Sequence, residues 1–521
     1  MKHLPAEIWT YIGSLTRRQD LVQLALVSRL HLATVRPILA EEVTLRDGKM
    51  NGSDHSKNLQ FLVDSQLSTK IKSFNIYGFT KNSAPDLPFS AMPNLRSLHI
   101  GSCEAFSANK QKAIVQSLRE SCAELRTVVV TSPISMFSHK RFSIPNVVTV
   151  EWNEAGHLTP ALFSLCQASL STIAHLTVHL LAPSWSEVEA HHEGIKTYKR
   201  FFCLRFPALL SLDIGPGHNS LTTFGGDETN GAFTKFLLGH PTLKKLALPH
   251  WEHEPSGDDI YLPVNAKSLV DAKILPTLRY FEAHPRLISE LLDRDAHFLI
   301  ANVETLSISE AIHPDYWELE EELCMSGGNE DLMPLVGVLY RLGESRKRIL
   351  ALKHLILHLS KMNEDEEALE FIKPSLILAA ESLPSLESWV GSIPVVADDF
   401  TELFSKLPRI RTVTGVLGML ESINEGCVLK TAIACKYLER VNCLMTYKSF
   451  VVDRHEKDGE QRITIRQEAF PTFHEDSPEC KFIMHEAMYR AFKNQCFSDD
   501  DSDEDDDDWT FRSSDEGEEG Q

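Results

Sequence analysis

Apolar and polar positions in this chain follow a short, recurring alternation. From residue 71 onward it runs Ile71-Phe74-Ile76, Leu95-Leu98-Ile100, Leu125-Val128-Val130, Val147-Val150-Trp152, Ile173-Leu176-Val178 and Leu209-Leu212-Ile214. It continues as Leu243-Leu246-Leu248, Leu278-Phe281-Ala283, Val303-Leu306-Ile308 and Leu352-Leu355-Leu357, with weaker copies from Leu386, Ile410 and Leu438. An apolar anchor, two intervening residues and then alternation of period two predict a short strand buried on one face. Successive anchors lie 22 to 49 positions apart, so the spacing is irregular. The punctuation is more regular: Pro93, Pro145, Pro207, Pro241, Pro276, Pro384 and Pro408 each stand two residues before an anchor. A proline there ends a helix and begins an extended segment.

Between the copies the apolar period lengthens to that of a helix, at Lys112–Cys122, Pro160–Ser169, Gly231–Leu238, Leu287–Leu299, Met333–Leu342, Glu366–Leu378 and Asp399–Leu407. Strand followed by helix, over and over, predicts an α/β chain with a parallel sheet lined by helices and wound as a curved solenoid. The strand motif L-x-x-L-x-L resembles that of leucine-rich repeats. The Asn or Cys that follows the strand in that family occurs only at Cys103, so the resemblance is to a degenerate, irregular array. A doubly wound α/β enzyme is the other architecture with this alternation, and the lack of a glycine-rich phosphate loop counts against it.

Residues 4 to 46 follow a different pattern. Leu4, Ile8, Ile12 and Leu15 share one helical face. Pro5 suits the first turn of a helix, and Glu7 favours its positive start. After a polar break at Arg17-Arg18-Gln19-Asp20, with Asp20 as expected N-cap, only Gln23 is polar between Leu21 and Val27. A helix apolar on all sides must be covered on all sides. Three short helices in about forty residues bury too little surface to do this alone. The leftover face needs the rest of the chain or another protein.

Three ordered blocks in this stretch resemble an F-box: Leu4-Pro5-Ala6-Glu7-Ile8-Trp9, Asp20-Leu21-Val22-Gln23-Leu24-Ala25-Leu26-Val27-Ser28-Arg29, and Arg36-Pro37-Ile38-Leu39. Many members of that family carry Trp or Phe after the second block, where this chain has Leu30-His31-Leu32. The resemblance implies a helical unit that docks on the Skp-type adaptor of a cullin–RING ubiquitin ligase. Leu4, Pro5, Ile8, Leu21, Leu24, Val27, Pro37 and Leu39 are then the candidates for adaptor contact, some of them holding the helices together instead. With a leucine-rich-repeat-like solenoid behind it, the implied function is that of a substrate receptor. The alternative is an interaction scaffold without a ligase role, in which the N-terminal helices only cap the array.

The repeat pattern ends near Cys443. Alternation over Ser449–Arg454 and Arg462–Arg466, around Asp458-Gly459, predicts a hairpin. An amphipathic stretch at about 479–492 predicts a helix capping the open end. The expected organisation is a helical unit at 1–46, a solenoid at 60–445, a hairpin with capping helix at 446–497 and a disordered acidic tail at 498–521. Residues 51–57 and 325–331 read as loops, and Glu318, Glu320, Glu321 and Glu322 mark an acidic insertion.

Composition narrows the function. The chain has 521 residues, 43% of them hydrophobic, enough for a large core. It has no run of eighteen apolar residues, so no membrane span is expected, and the amino terminus lacks the apolar core of a signal peptide. Ten cysteines include no C-x-x-C pair, which suggests reduced, buried thiols in the cytoplasm, the nucleus or both. Asn51-Gly52-Ser53 fits a glycosylation sequon but reads as a turn. Of the net charge of −21, −12 lies in residues 498 to 521, where thirteen Asp or Glu accompany one Arg, and the rest of the chain carries −9. No basic face for a phosphate backbone is expected, hence no direct nucleic-acid binding.

Motifs for chemistry are weak. Gly215-Pro216-Gly217-His218-Asn219-Ser220 falls one residue short of a dinucleotide fingerprint. His250-Trp251-Glu252-His253-Glu254 lacks a third metal partner, and His191-His192 sits among Glu187, Glu189 and Glu193 as a solvated turn. No catalytic residue, metal or cofactor is expected. The outward positions of the strands are better candidates, because alternation aims them at the concave face. They include the substrate-facing candidates His99, His175, His179, Tyr280, His354, His358 and Arg440, a polar lining for an unknown protein substrate. Ser97, Thr177, Lys245, Glu282, Ile356, Thr412, Thr414 and Asn442 share that face. In the tail, Ser498 and Ser502 precede acidic runs that resemble acidophilic kinase sites. The tail also suits a basic partner, or simple solubility.

Overall fold

The computed structural model describes residues 16, 18–27, 29–46, 59–79, 87–101, 108–132, 142–155, 160–181, 200–215, 227–248, 277–283, 285–293, 302–309, 333–344, 351–358, 366–391, 397–415, 423–444, 446–457, 460–471, 473, 477 and 479. Its strands are β1 (Glu42–Arg46), β2 (Ser73–Tyr77), β3 (Ser97–Gly101), β4 (Thr127–Ser132), β5 (Thr149–Ala155), β6 (His175–Leu181), β7 (Ser211–Gly215) and β8 (Lys245–Leu248). Then come β9 (Tyr280–Ala283), β10 (Thr305–Ser309), β11 (His354–His358), β12 (Ser388–Gly391), β13 (Thr412–Gly415), β14 (Arg440–Cys443), β15 (Lys448–Lys457) and β16 (Glu460–Ala469). All lie in one 16-stranded sheet whose spatial order is the order of the sequence. Neighbours are parallel as far as β14, and the last two pairings are antiparallel.

The helices are α1 (Arg18–Val27), α2 (Arg29–Leu39), α3 (Ala108–Ser121), α4 (Pro160–Ala168), α5 (Asp227–Leu238), α6 (Pro285–Asp293), α7 (Met333–Glu344), α8 (Glu366–Glu381), α9 (Ala397–Ser405) and α10 (Glu425–Ala434). This is the α/β solenoid with a parallel sheet that the repeat pattern predicts, and each of the thirteen copies forms a strand, from β2 to β14. Phe74, Leu98, Val128, Val150, Leu176, Leu212, Leu246, Phe281, Leu306, Leu355, Trp389, Val413 and Val441 stand in register across the sheet. Every one of them is buried, and all belong to one continuous core between sheet and helices.

Two elements escaped the sequence pattern. Strand β1 pairs with β2 in parallel, so the sheet begins inside residues 1–46. Helix α10 starts at an Asn424 N-cap whose side chain accepts from the Cys427 N–H at 3.0 Å. Asp20, the expected N-cap of the second helix, instead lies inside the first turn of α1.

Register is held by a second ladder at the strand starts. The backbone N–H groups of Arg96 and Ser97 both donate to the Lys72 carbonyl, those of Arg126 and Thr127 to Arg96, and the same step recurs as far as Glu439 and Arg440 donating to Arg411. Side chains reinforce it just before the anchors. The hydroxyls of Thr172, Thr242 and Thr277 donate to the anchor carbonyls of the preceding copy, Val147 (2.7 Å), Leu209 (3.1 Å) and Leu243 (2.8 Å). Residues at the ends of helices also bond one copy to the one before it. Ser169 Oγ donates to the Ile144 carbonyl (2.7 Å) and accepts from Val147 N–H (3.1 Å), and Cys435 Sγ donates to Phe404 O (3.1 Å). His240 Nε2 accepts from Phe206 N–H (2.9 Å) while Nδ1 donates to Phe236 O (2.6 Å). Burial pushes the thiols of Cys122 and Cys435 up to about 11, which makes them inert packing groups.

The weaker copies from Leu386 and Ile410 end their motif in Gly391 and Gly415, and the backbone explains why. Gly391 has φ +146°, and a Cβ there would sit 2.4 Å from the Leu357 carbonyl oxygen; one on Gly415 would collide with the Gly391 carbonyl. Trp389, fully buried and edge-on to Phe404, fills the volume instead.

At the C-terminal end, β15 and β16 extend the sheet as the predicted hairpin, with Lys457 paired to Glu460. Arg454 reaches under the last repeat and donates to the carbonyls of Leu438 (2.5 Å), Ala432 (2.9 Å) and Cys435 (2.8 Å). Two of these carbonyls, those of Ala432 and Cys435, are at the end of α10. The proposed capping helix lies outside the described residues apart from Glu479. Also outside them are residues 51–57, the acidic insertion at 313–331 and the tail with Ser498 and Ser502.

Candidate interaction surfaces

Two surfaces follow from this architecture. The first is on the N-terminal helices. Helices α1 and α2 pack through Leu21, Ala25 and Val35, with Ile38 and Leu39 against them. Leu21 is 4% exposed, and positions 21 and 25 (i, i+4) form the inner face. The neighbouring pair Val22 and Leu26 therefore points away, 45% and 77% exposed, with Val27 at 69% and Leu32 at 44%. Of the candidates for adaptor contact, Leu21 and Leu39 thus serve the helix pair, whereas Val27 stands outward. Pro37 is half-buried in the last turn of α2. Val22 and Leu26 on α1, and Leu32 on α2, are exposed as well and were missing from the candidate set. Leu4, Pro5, Ile8 and the Leu24 side chain lie outside the described residues.

The second surface is the concave face. Its middle row runs Asn75, His99, Val129, Glu151, Thr177, Asp213, Ala247, Glu282, Ser307, Ile356, Val390, Thr414 and Asn442. Strands β2 to β9 carry a linked set of polar groups. The Tyr77 hydroxyl and His99 Nδ1 are 2.9 Å apart, with the Arg46 guanidinium 5.3 Å from the Tyr77 ring centre. His179 Nε2 lies 2.8 Å from Asp213 Oδ1, and Lys245 Nζ lies 3.9 Å from the other oxygen and 4.9 Å from the Tyr280 ring centre. Tyr280 donates to Glu282 Oε2 at 2.5 Å.

The electrostatics follow from these contacts. Burial opposes charge on His179, but the Asp213 bond and charge, with Glu151 and Glu282 beyond, raise its pKa overall. Burial lowers that of His99 against the pull of Glu151, and burial lowers that of His354 against Glu479 and Glu387. Burial and Glu282 hold the Tyr280 hydroxyl well above its ordinary value.

The structure brings His99, His179 and Tyr280 into this half-buried lining, and His175 is exposed at its edge. Arg440 instead lies 3.5 Å from Glu468 of β16, an ion pair within the chain. From β10 on the expected open polar face is closed. Ser307, Ile356, Val390, Thr414 and Asn442 are between 0% and 2% exposed. Asn442 donates to Thr414 Oγ1 (2.9 Å) and accepts from Ser449 (2.8 Å). The His358 side chain lies outside the described residues, as do His191, His192, 216–220 and 250–254. Among the described residues no group of three or more His, Cys, Asp or Glu is arranged to hold a metal, and no helix is long and apolar enough to cross a membrane.

No family model matches the sequence, and no curated protein does. Solved structures give remote likenesses. One is a chain in the crystal structure of the Rad7 and Elc1 complex in yeast: TM-score 0.39, 13% identity, 80% of this chain covered and 90% of that one. Another, from Bacteroides fragilis, has TM-score 0.28 and 14% identity over 64% of this chain and 67% of that one. At TM-scores this low neither likeness bears on what the chain does.

Proposed function

We propose that the chain is a substrate receptor: its N-terminal helices dock on a Skp-type adaptor of a cullin–RING ubiquitin ligase, and the solenoid holds the protein to be modified. The observation that carries this is the outward apolar face of α1 within the F-box-like blocks. Val22, Leu26 and Val27 expose surface that the α1–α2 pair does not need for its own packing. Such a patch marks an interaction site. In this reading the chain performs no chemistry itself. It raises the effective concentration of substrate lysines near a charged conjugating enzyme, in the cytoplasm or nucleus.

Co-elution of the full chain with purified Skp-type adaptor, then with cullin added, tests the assembly. A folded chain that elutes apart from the adaptor sinks the reading.

The acidic tail, −12 in residues 498 to 521, favours a second reading as a scaffold for basic proteins. Strong binding to a basic protein that weakens steeply with salt, without adaptor binding, would select it.

A further inference from the structure

In the open half of the concave face, two rings bracket strands β4 and β5. Tyr77 of β2 lies across Gly101 of β3, where a Cβ would sit 2.6 Å from its ring, and meets His99 Nδ1 at 2.9 Å. His179 of β6 lies across Gly215 of β7, where a Cβ would sit 3.2 Å from its ring, and meets Asp213 Oδ1 at 2.8 Å. Each glycine thus admits a ring from the preceding strand. Between the rings the middle row runs His99, Val129, Glu151, Thr177 and Asp213. Half-buried Glu151 stands at its centre, two strands, about 10 Å, from both His99 and Asp213.

Among the described residues Glu151 has no ion-pair partner. Its Oε1 accepts from the Asn153 amide at 3.2 Å. The other acids of this face are already engaged: Asp213 has His179 at 2.8 Å and Lys245 at 3.9 Å, and Glu282 accepts from Tyr280. Both His99 and His179 feel the Glu151 charge. Burial nevertheless holds His99 below its ordinary value, so it brings no cation at neutral pH, and His179 directs its Nε2 at Asp213. Two buried polar atoms of the same stretch, His99 Nε2 and Asn153 Oδ1, have no hydrogen-bond partner among the described residues. Both are acceptors when His99 Nδ1–H donates to the Tyr77 oxygen. A carboxylate without a cation, set among unmet acceptors, calls for a donor-rich cationic group.

We propose that Glu151 anchors an arginine side chain of the protein held by the solenoid, between the Tyr77–His99 and His179–Asp213 pairs. This deepens the receptor reading, on which it rests for the identity of the partner as substrate. A guanidinium suits the site better than an ammonium: its planar fork meets a carboxylate with two parallel bonds and keeps further N–H groups for neighbouring acceptors. The chain makes a related contact itself, with the Arg46 guanidinium 5.3 Å from the Tyr77 ring centre. The net charge of −21 draws a basic partner to the surface from a distance, and Glu151 then fixes where on the face it is held.

The test uses the full chain and immobilised nonapeptide pools. Their flanks are randomised over uncharged residues and their centre is fixed as Arg, Lys, Gln or Glu, at physiological salt to screen the acidic tail. Wild type is expected to bind the Arg pool at least ~10-fold more tightly than the Gln pool, and more tightly than the Lys pool. Glu151→Gln, nearly isosteric, should bind the Arg and Gln pools equally. Glu151→Lys is a second variant that should prefer the Glu pool, a reversal that a merely structural role would not produce. An Arg preference kept by Glu151→Gln, or none in a folded wild type, overturns the proposal. Adaptor binding by the same preparations should be unchanged; its absence throughout would count against the receptor reading and not against the arginine site.

Discussion

Leu21 and Leu26 lie on opposite sides of helix α1: Leu21 is 4% exposed against Ala25 and Val35, and Leu26 is 77% exposed. The two leucines therefore answer to different measurements. Leu21→Ala removes packing between α1 and α2 and is expected to cost about 2–4 kcal/mol of local stability. Hydrogen exchange should show it as faster exchange of the α1 amides. Leu26→Ala should leave that exchange unchanged.

Arg454 secures the last repeat by donating to three backbone carbonyls. Arg454→Met keeps most of the aliphatic stem and removes the donors. Chemical denaturation should register a loss of about 2–3 kcal/mol, with fraying concentrated in α10 and the hairpin. An unchanged midpoint would show that water replaces the guanidinium without cost.

Gly391 and Gly415 stand where backbones approach too closely for a Cβ. Gly415→Ala is expected to destabilise by about 1–3 kcal/mol through overpacking, visible as a lower melting temperature. Gly231→Ala meets nothing within 4 Å and serves as the control, with stability equal or slightly raised.

His240 must stay neutral to accept from Phe206 N–H through Nε2, and burial lowers its pKa. Its unfolded form binds a proton more readily, so its contribution to stability is full above the ordinary value of about 6.5 and fades as pH falls below it. His99 and His354 share that sign. His179, with its pKa raised, has the opposite sign: its contribution is full below the ordinary value and is lost as pH rises through the raised one. Melting curves between pH 7 and pH 5 should fall less steeply for His240→Gln than for wild type. An identical slope would remove His240 from the account.

Much of the solenoid was legible because each anchor, such as Leu95 or Leu209, is apolar for a purely local reason and is followed by alternation. Strand β1 was not, since the anchor position three residues before Val43 holds only the small Ala40, directly after the apolar end of α2. The concave face was legible only in its first half. Period two identifies which way His179 or Ile356 points, but it carries no information about what returns to cover that face. Phe470 packs against the cluster of Ile356, Val390 and Leu444, whose members come from distant parts of the sequence, an association that no local pattern contains. On α1 the apolar composition hid the distinction between Leu21 and Leu26, which only the placement of α2 resolves.

The most direct measurement of the central claim is calorimetric titration of Skp-type adaptor into the full chain, wild type against Leu26→Asp/Val27→Asp. Circular dichroism should match between the two. The account predicts wild-type binding that the double variant weakens by at least ~100-fold. Equal affinity for both chains, or no binding by a folded wild type, would contradict it.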